Sequence, residues 1–427
     1  MSTGRVGVEE VARETLGRIR ARGTYRRMRV LEGALGPRMR VDGRDVLLFA
    51  GSNYLDLAHH PEVVEASVRA ARDTGCAAGG SRLINGNLDG HEALEAELAE
   101  FLGVPAALAF GTGYMANVGV IPALVGPDDL LISDQLNHAS IVDGARLSRA
   151  EVRVFPHGDL DALDGILSGA GPSHGRSHRS RRVLVMTDGV YSMDGDVAPV
   201  AELAALCCHH GAMFLLDDAH GIGTLGSGGR GSAEHSGCDG GIDVLVGTLG
   251  KSLGSFGAFV AGSSALRDLL VNVARSFIFS CALAPPQVEA ARAALRVLRA
   301  EPWRRQALQE NAARLRTRLS AAGVSTRPST THIVPVVIGD SAETMRVCEA
   351  LLDRGFYAQG IRHPSVAEGT ARLRITPMAT HRPEEIDALA DAVVELVEPS
   401  HVGVADRDPD RKAEPICRSA ESSGPAA

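Results

Sequence analysis

Two stretches, AMFLLDDAHGIGTLG at 212–226 and IDVLVGTLGKSLG at 242–254, decide the fold. Each opens with an unbroken apolar run and ends in polar, glycine-rich sequence. An unbroken run fits a strand buried on both faces, not the alternation of a strand with one wet face. Further out, AALAF (106–110), DLLISD (129–134), VRVF (152–155), RVLVMTD (182–188) and GAFVAG (257–262) read the same way. Helical patterns such as GYMANVGVIPALV and PVAELAALCCHHG fall between several of them. This alternation predicts an α/β fold with a large, mostly parallel sheet covered by helices. Ligands of such sheets bind beyond the carboxyl ends of the strands. Past 285 a long Arg-studded helical stretch leads into THIVPVVIG, SAETMRVCEALLDRGF, ARLRITP and RPEEIDALADAVVELVE, which predict a smaller α+β unit. The expected boundaries are an N-terminal helix and arm over 1–50, a large domain over 51–285, a small domain over 286–400 and a disordered tail over 401–427.

The 427 residues are long enough for two or three domains, and 44% apolar with 22% charged residues is a globular composition. A net charge of −8 and 4% aromatic residues argue against a nucleic-acid partner, which needs a basic face and stacking rings. The basic segment GPSHGRSHRSRR at 171–182 reads as a solvated loop. No signal-peptide core opens the chain and no apolar run reaches about 18 residues, so a cytoplasmic protein without a membrane span is expected. Seven scattered cysteines without a CxxC pair fit reduced thiols, and the absence of HExxH argues against a zinc site, so no metal is expected.

Of the 44 Lys and Arg, only Lys251 and Lys412 are lysine. Lys412 lies in the polar tail. Lys251 sits between two apolar strands, among Gly250, Ser252 and Gly254, where burial would push its ammonium toward the nucleophilic amine. One strand earlier, FLLDDAHG ends in Asp217, Asp218 and His220, which suit metal ligation, acid–base work or capping. The segment FGTGYMAN follows a strand and opens a helix, and its Gly111, Gly113 and Ala116 match GxGxxA, with Asp134 about 20 residues on. That pattern fits a phosphate cradle. GIGTLG at 221–226 lacks a following helix and reads as a loop, and GTLGKS at 247–252 is too short for a P-loop. An amine, an acid and an anion cradle at one sheet edge ask for a cofactor with an aldehyde, a basic ring nitrogen and a phosphate. Pyridoxal 5'-phosphate (PLP) has all three: Lys251 would bond the aldehyde, Asp217 the ring nitrogen, and the backbone of Thr112, Gly113 and Tyr114 the phosphate.

The strings SNYLDLAHHPEV, GSRLINGNLDGHEALEAELAEFLG, FGTGYMANVGVI, DQLNHASIVDGARLSRA, TDGVYSMDGDVAPV, DDAHGIGTLG, GTLGKSLG, ARSFIFS and IRHPSVAEGTARLRIT together resemble the α-oxoamine synthase family. These are fold-type I PLP-dependent transferases that condense an amino acid with an acyl thioester and release CO2. The resemblance runs in order from about residue 20 to 398. It implies that His138 stacks on the cofactor ring, that Ser192 and His220 contact its substituents, and that Thr248 helps hold the phosphate. Ser280 would reach the phosphate of a neighbouring subunit, in a homodimer with active sites at the subunit interface. Arg374 would pair with the substrate carboxylate, and Arg26 and Asn53 would also contact substrate.

The resemblance points to L-alanine and a pimeloyl thioester, on CoA or a carrier protein, as substrates. Two departures bear on the acyl chain: Asp56 stands where the family's NYLGL has glycine, and His363 and Ala367 replace prolines in IRHPSVAEGT. Losing those fixed φ angles should loosen the loop before ARLRIT. Glycine or serine with another acyl chain is the alternative within the family. An NAD-dependent oxidoreductase built on GTGYMA leaves Lys251 and Asp217 without a task, and a silent binding protein leaves every chemical position filled for no purpose.

Overall fold

The computed structural model describes residues 6–170, 181–238 and 240–397. The basic segment at 171–180, Lys412 and the tail expected to be disordered lie outside the described residues.

Strands β1 (Leu31–Glu32), β2 (Arg38–Val41) and β3 (Arg44–Leu48) precede the large sheet, which is built from β4 (Ala106–Phe110), β5 (Leu130–Asp134), β6 (Glu151–Phe155), β7 (Val183–Asp188), β8 (Met213–Asp217), β9 (Val244–Thr248) and β10 (Ala258–Gly262). Its order is β4-β10-β9-β8-β7-β5-β6, and β10 runs antiparallel to both neighbours while the rest are parallel. The expected mostly parallel sheet is therefore present. Central strands β5, β8 and β9 are buried almost throughout, because helices cover both faces. The expectation of burial fails at β6, the edge strand, where only Phe155 is buried. One consequence of parallel pairing is that β4, β5, β7, β8 and β9 all end at one edge, which receives Asp134, Asp188, Asp217 and Thr248.

The smaller unit holds β11 (Val334–Gly339), β12 (Phe356–Tyr357), β13 (Gln359–Ile361) and β14 (Ala371–Ile375), with β11-β14-β13 forming one sheet. Strand β12 instead pairs with β3, extending the sheet β1-β2-β3. The arm before residue 50 thus carries strands missed by the sequence reading, and Phe49 packs in the core of the small unit. The Pro285–Ala300 helix, expected in the small unit, places Val288, Leu295 and Leu298 in the core of the large one. Only from the Trp303–Ala321 helix onward does the chain pack chiefly into the small core.

Candidate active site

Lys251 follows β9 by three residues and lies in a turn that presses on the backbone of Leu57 and Ala58. Gly254 makes that approach feasible: its φ is +59°, and a Cβ there would stand 2.4 Å from the amide nitrogen of Ala58. The Lys251 Nζ is 2.9 Å from His220 Nε2, and His220 Nδ1 is 2.7 Å from the Tyr54 hydroxyl. Burial holds the His220 pKa well below its ordinary value, aided by the nearby Lys251 and Arg374 cations. A neutral imidazole has one donor and one acceptor. In the tautomer whose Nε2 accepts from the Lys251 amine, Nδ1–H donates to the Tyr54 oxygen. That oxygen also accepts from the Arg374 guanidinium at 3.3 Å, and its own hydrogen points to Ser52 Oγ at 3.4 Å. Lys251, His220, Tyr54 and Arg374 form one run from the large sheet's edge to β14 of the small unit.

Burial also lowers the Lys251 pKa, opposed by Tyr54, Asp217 and Asp188. The sequence-based expectation of a buried, amine-leaning lysine is met. Beside it, Asp217 accepts from Asn117 Nδ2 at 2.6 Å and from the Ala219 amide at 3.1 Å. Asn117 also donates to Ser140 Oγ at 2.8 Å, and Ser140 meets His138 Nδ1 at 2.7 Å. His138 is at once the N-cap of the Ala139–Ser148 helix and a neighbour of Asp217 and Lys251, with its pKa lowered first by burial. Asp188, in register with Asp217 on β7, accepts the His138 amide at 2.8 Å. Its pKa is raised well above the carboxylate range by burial and by the Asp217 charge.

Just past β8, Asp218 takes the Ser232 amide at 2.7 Å, with burial pushing its pKa up to about 7. It packs under Gly189, Gly221 and Gly231, where any Cβ would meet its carboxylate. This is a structural post.

The Gly113–Leu124 helix starts just past β4. Thr112 caps it, its hydroxyl accepting the Met115 amide at 3.1 Å, and the Ala116 amide bonds to Thr112 O. Among the described residues, the amides of Gly113 and Tyr114 have no acceptor, as expected in a first helical turn. A Cβ at Gly113 would stand in open space, with no heavy atom within 4 Å. The Tyr114 side chain turns to Asp143, leaving only its backbone for the cradle. Thr248 is buried, and its hydroxyl donates to Gly257 O at 3.0 Å. Ser280 lines a small recess with Gly111, Met115 and Arg82.

The remaining expected contacts divide. Ser192 lies in the turn after β7, and its carbonyl accepts from Arg374 Nε. Asn53 spends its amide on the 53–58 turn: its oxygen accepts from Leu57 and Ala58 at 3.1 Å each, and its nitrogen donates to Leu35 O and Asp56. Arg26 is exposed in the connection after the first helix, and among the described residues no hydrogen bond or ion pair joins it to Lys251 or Arg374. Tyr54, Asn117 and Asp188 were absent from the sequence reading. Tyr54 was within reach, adjacent to Asn53. No local pattern marks Asn117, which sits in an apolar helix.

These groups fit PLP: an amine for the aldehyde, a carboxylate for the ring nitrogen, an imidazole at His138, and unpaired helix amides for the phosphate.

Comparison with known proteins agrees. A family model described as aminotransferase class I and II matches residues 44–393. An 8-amino-7-oxononanoate synthase from Geobacter sulfurreducens is 47% identical over 89% of this chain and 96% of its own length. One from Geobacter metallireducens is 48% identical over 87% and 94%. Among solved structures, a serine palmitoyltransferase from S. paucimobilis with bound PLP and myriocin aligns with a TM-score of 0.85, 32% identity and coverage of 92% and 98%. An 8-amino-7-oxononanoate synthase from Francisella tularensis gives 0.70, 25%, 82% and 97%. Likeness of this degree along about 90% of the chain reaches past the fold to the family: the chain belongs to the class I and II aminotransferases, in their fold-type I, PLP-dependent α-oxoamine synthase branch.

Proposed function

We propose that the protein is an 8-amino-7-oxononanoate synthase, joining L-alanine to a pimeloyl thioester with loss of CO2 and release of the thiol, a step toward biotin. The observation that carries this reading is the run Lys251–His220–Tyr54–Arg374 beside Asp217, which sets a proton acceptor and a carboxylate clamp on either side of one phenol. Sequence likeness to the oxononanoate synthases supports the substrate pair.

PLP, when bound, supplies the electron sink that lets the amino-acid Cα proton and then the carboxyl group depart. Lys251, Asp217, His138 and the Thr112–Tyr114 backbone would hold it, with Ser192, Thr248 and Ser280 as further contacts. Lys251 Nζ, whose pKa burial lowers, would hold the cofactor aldehyde and, when released from it, would serve as the base for the Cα proton. His220 Nε2 aligns that amine. Asp217 keeps the ring nitrogen protonated, steadied by Asn117. Arg374, oriented by Ser192 O and the Tyr54 hydroxyl, offers its remaining donors to the substrate carboxylate. The net reaction would join the amino-acid Cα to the thioester acyl carbon, release the thiol and lose the amino-acid carboxyl group as CO2.

A homodimer and a cytoplasmic setting belong to the same reading. Among the described residues no helix is long and apolar enough to cross a membrane.

A second reading, condensation of serine with a longer acyl thioester, is favoured by the higher TM-score of the serine palmitoyltransferase structure. Mass spectrometry of products from alanine, glycine and serine, each with a panel of acyl-CoA and acyl-carrier-protein thioesters, separates the two. An 8-amino-7-oxononanoate product formed faster than any other supports the first; a long-chain amino ketone from serine supports the second.

A further inference from the structure

The turn Tyr191–Asp196 after β7 is tied to β14, to the segment before β11 and to the loop after β6. Ser192 stands in it, and Ser192 O anchors Arg374. Asp194 forms an ion pair with Arg372, also on β14. Gly195 O accepts from the Thr330 and Thr331 amides and from Thr331 Oγ1, just before β11. Gly195 has φ +74°, and a Cβ there would strike Ile333 O at 1.9 Å.

The fourth tether comes from the loop after β6. His157 Nδ1 lies 3.1 and 3.2 Å from the two oxygens of Asp134, and its Nε2 lies 2.7 Å from Asp196 Oδ2. Its ring stands edge-on to Tyr191 at 4.3 Å. Both partners are acceptor-only carboxylates, so both ring nitrogens must carry hydrogen and the ring is an imidazolium. Asp134, Asp196 and Tyr191 are the titratable groups facing it. The two acids raise the His157 pKa to about 10 against the opposing effect of burial.

We propose that His157 is a positioning residue for cofactor and amino-acid binding: bridging Asp134 and Asp196, it fixes the turn that presents Ser192 and anchors Arg374. This rests on the roles given above to Ser192 and Arg374. A clamp of this kind acts on PLP and the amino-acid carboxylate together and leaves the acyl thioester alone, whereas a purely structural histidine lowers only thermal stability.

The test uses the full chain and His157→Ala, His157→Gln and Asp196→Asn variants. PLP affinity comes from absorbance titration of the apoprotein, alanine affinity from the absorbance change of the holoenzyme without thioester, and the thioester KM from initial rates. Losing both charge-assisted bonds should raise the PLP and alanine dissociation constants about tenfold or more in His157→Ala, with thioester KM within about twofold. His157→Gln, able to serve one acid, should fall between. Should His157→Ala not fold, Asp196→Asn, which keeps the shape and removes the charge, carries the same expectation. Dissociation constants within about twofold of the parent overturn the proposal even if the melting temperature drops, as does an equal loss of thioester affinity. A parent protein that binds no PLP overturns the functional reading itself.

Discussion

At the scale of single residues, burial is what converts ordinary side chains into reagents here. Lys251 and His220 are both pushed toward neutrality by desolvation, and a 2.9 Å hydrogen bond joins the Lys251 amine to His220 Nε2. If Lys251 bonds PLP, the purified protein should be yellow, and Lys251→Ala should lose the label that borohydride reduction fixes in the parent, read by mass spectrometry. Beside Asp217, Asp188 is pushed well above the usual carboxylate range by burial and by the Asp217 charge. Asp217→Asn should retain some PLP yet lose about 10²-fold or more in kcat, since nothing else at the site holds the ring nitrogen protonated. Near-normal turnover would reassign Asp217 to structure. Asp56 shows how a departure from the family pattern is absorbed: its φ is +56°, the conformation that suits glycine, and its carboxylate is held by Asn53 and Thr380.

Elements carry the division of labour between substrates. Strand β14 delivers Arg374 to Tyr54 and Ser192, while the segment before it, with His363 and Ala367 exposed, forms two tight turns closed by Ser365 N to Arg362 O and Thr370 N to Ala367 O. Arg374→Ala should therefore raise the alanine KM at least about tenfold and leave the thioester KM much less affected, because it removes a bidentate carboxylate partner. His363→Pro should instead shift the ranking among acyl thioesters in a competition assay. A His363→Pro profile identical to the parent, with Arg374→Ala weakening only the thioester, would exchange the roles of these two segments.

Across the whole molecule, titration couples to stability through the bridge at His157. Its folded pKa of about 10 exceeds the usual 6.5, so the folded state holds the extra proton between those values. The contribution is complete below about pH 6.5 and fades as pH climbs to about 10. With roughly a quarter of the side chain exposed, a loss of about 2 kcal/mol between pH 7 and 10 is a reasonable size, and urea midpoints should show His157→Gln losing less than the parent over that interval. The parallel sheet, the edge where its strands end and the positions of Asp217 and Lys251 beside that edge were legible in sequence, because unbroken apolar runs and the polar residues that stop them are local patterns. What stayed hidden were relations between distant segments: the pairing of β3 with β12, the edge exposure of β6, Tyr54 standing between His220 and Arg374, and His157 bridging Asp134 and Asp196. Sequence by itself determined which residues end each buried strand, since burial in a sheet is paid in consecutive apolar side chains. Tertiary structure alone decided which of those ends meet, since hydrogen-bond partners and shared desolvation depend on distances in space that no local periodicity encodes.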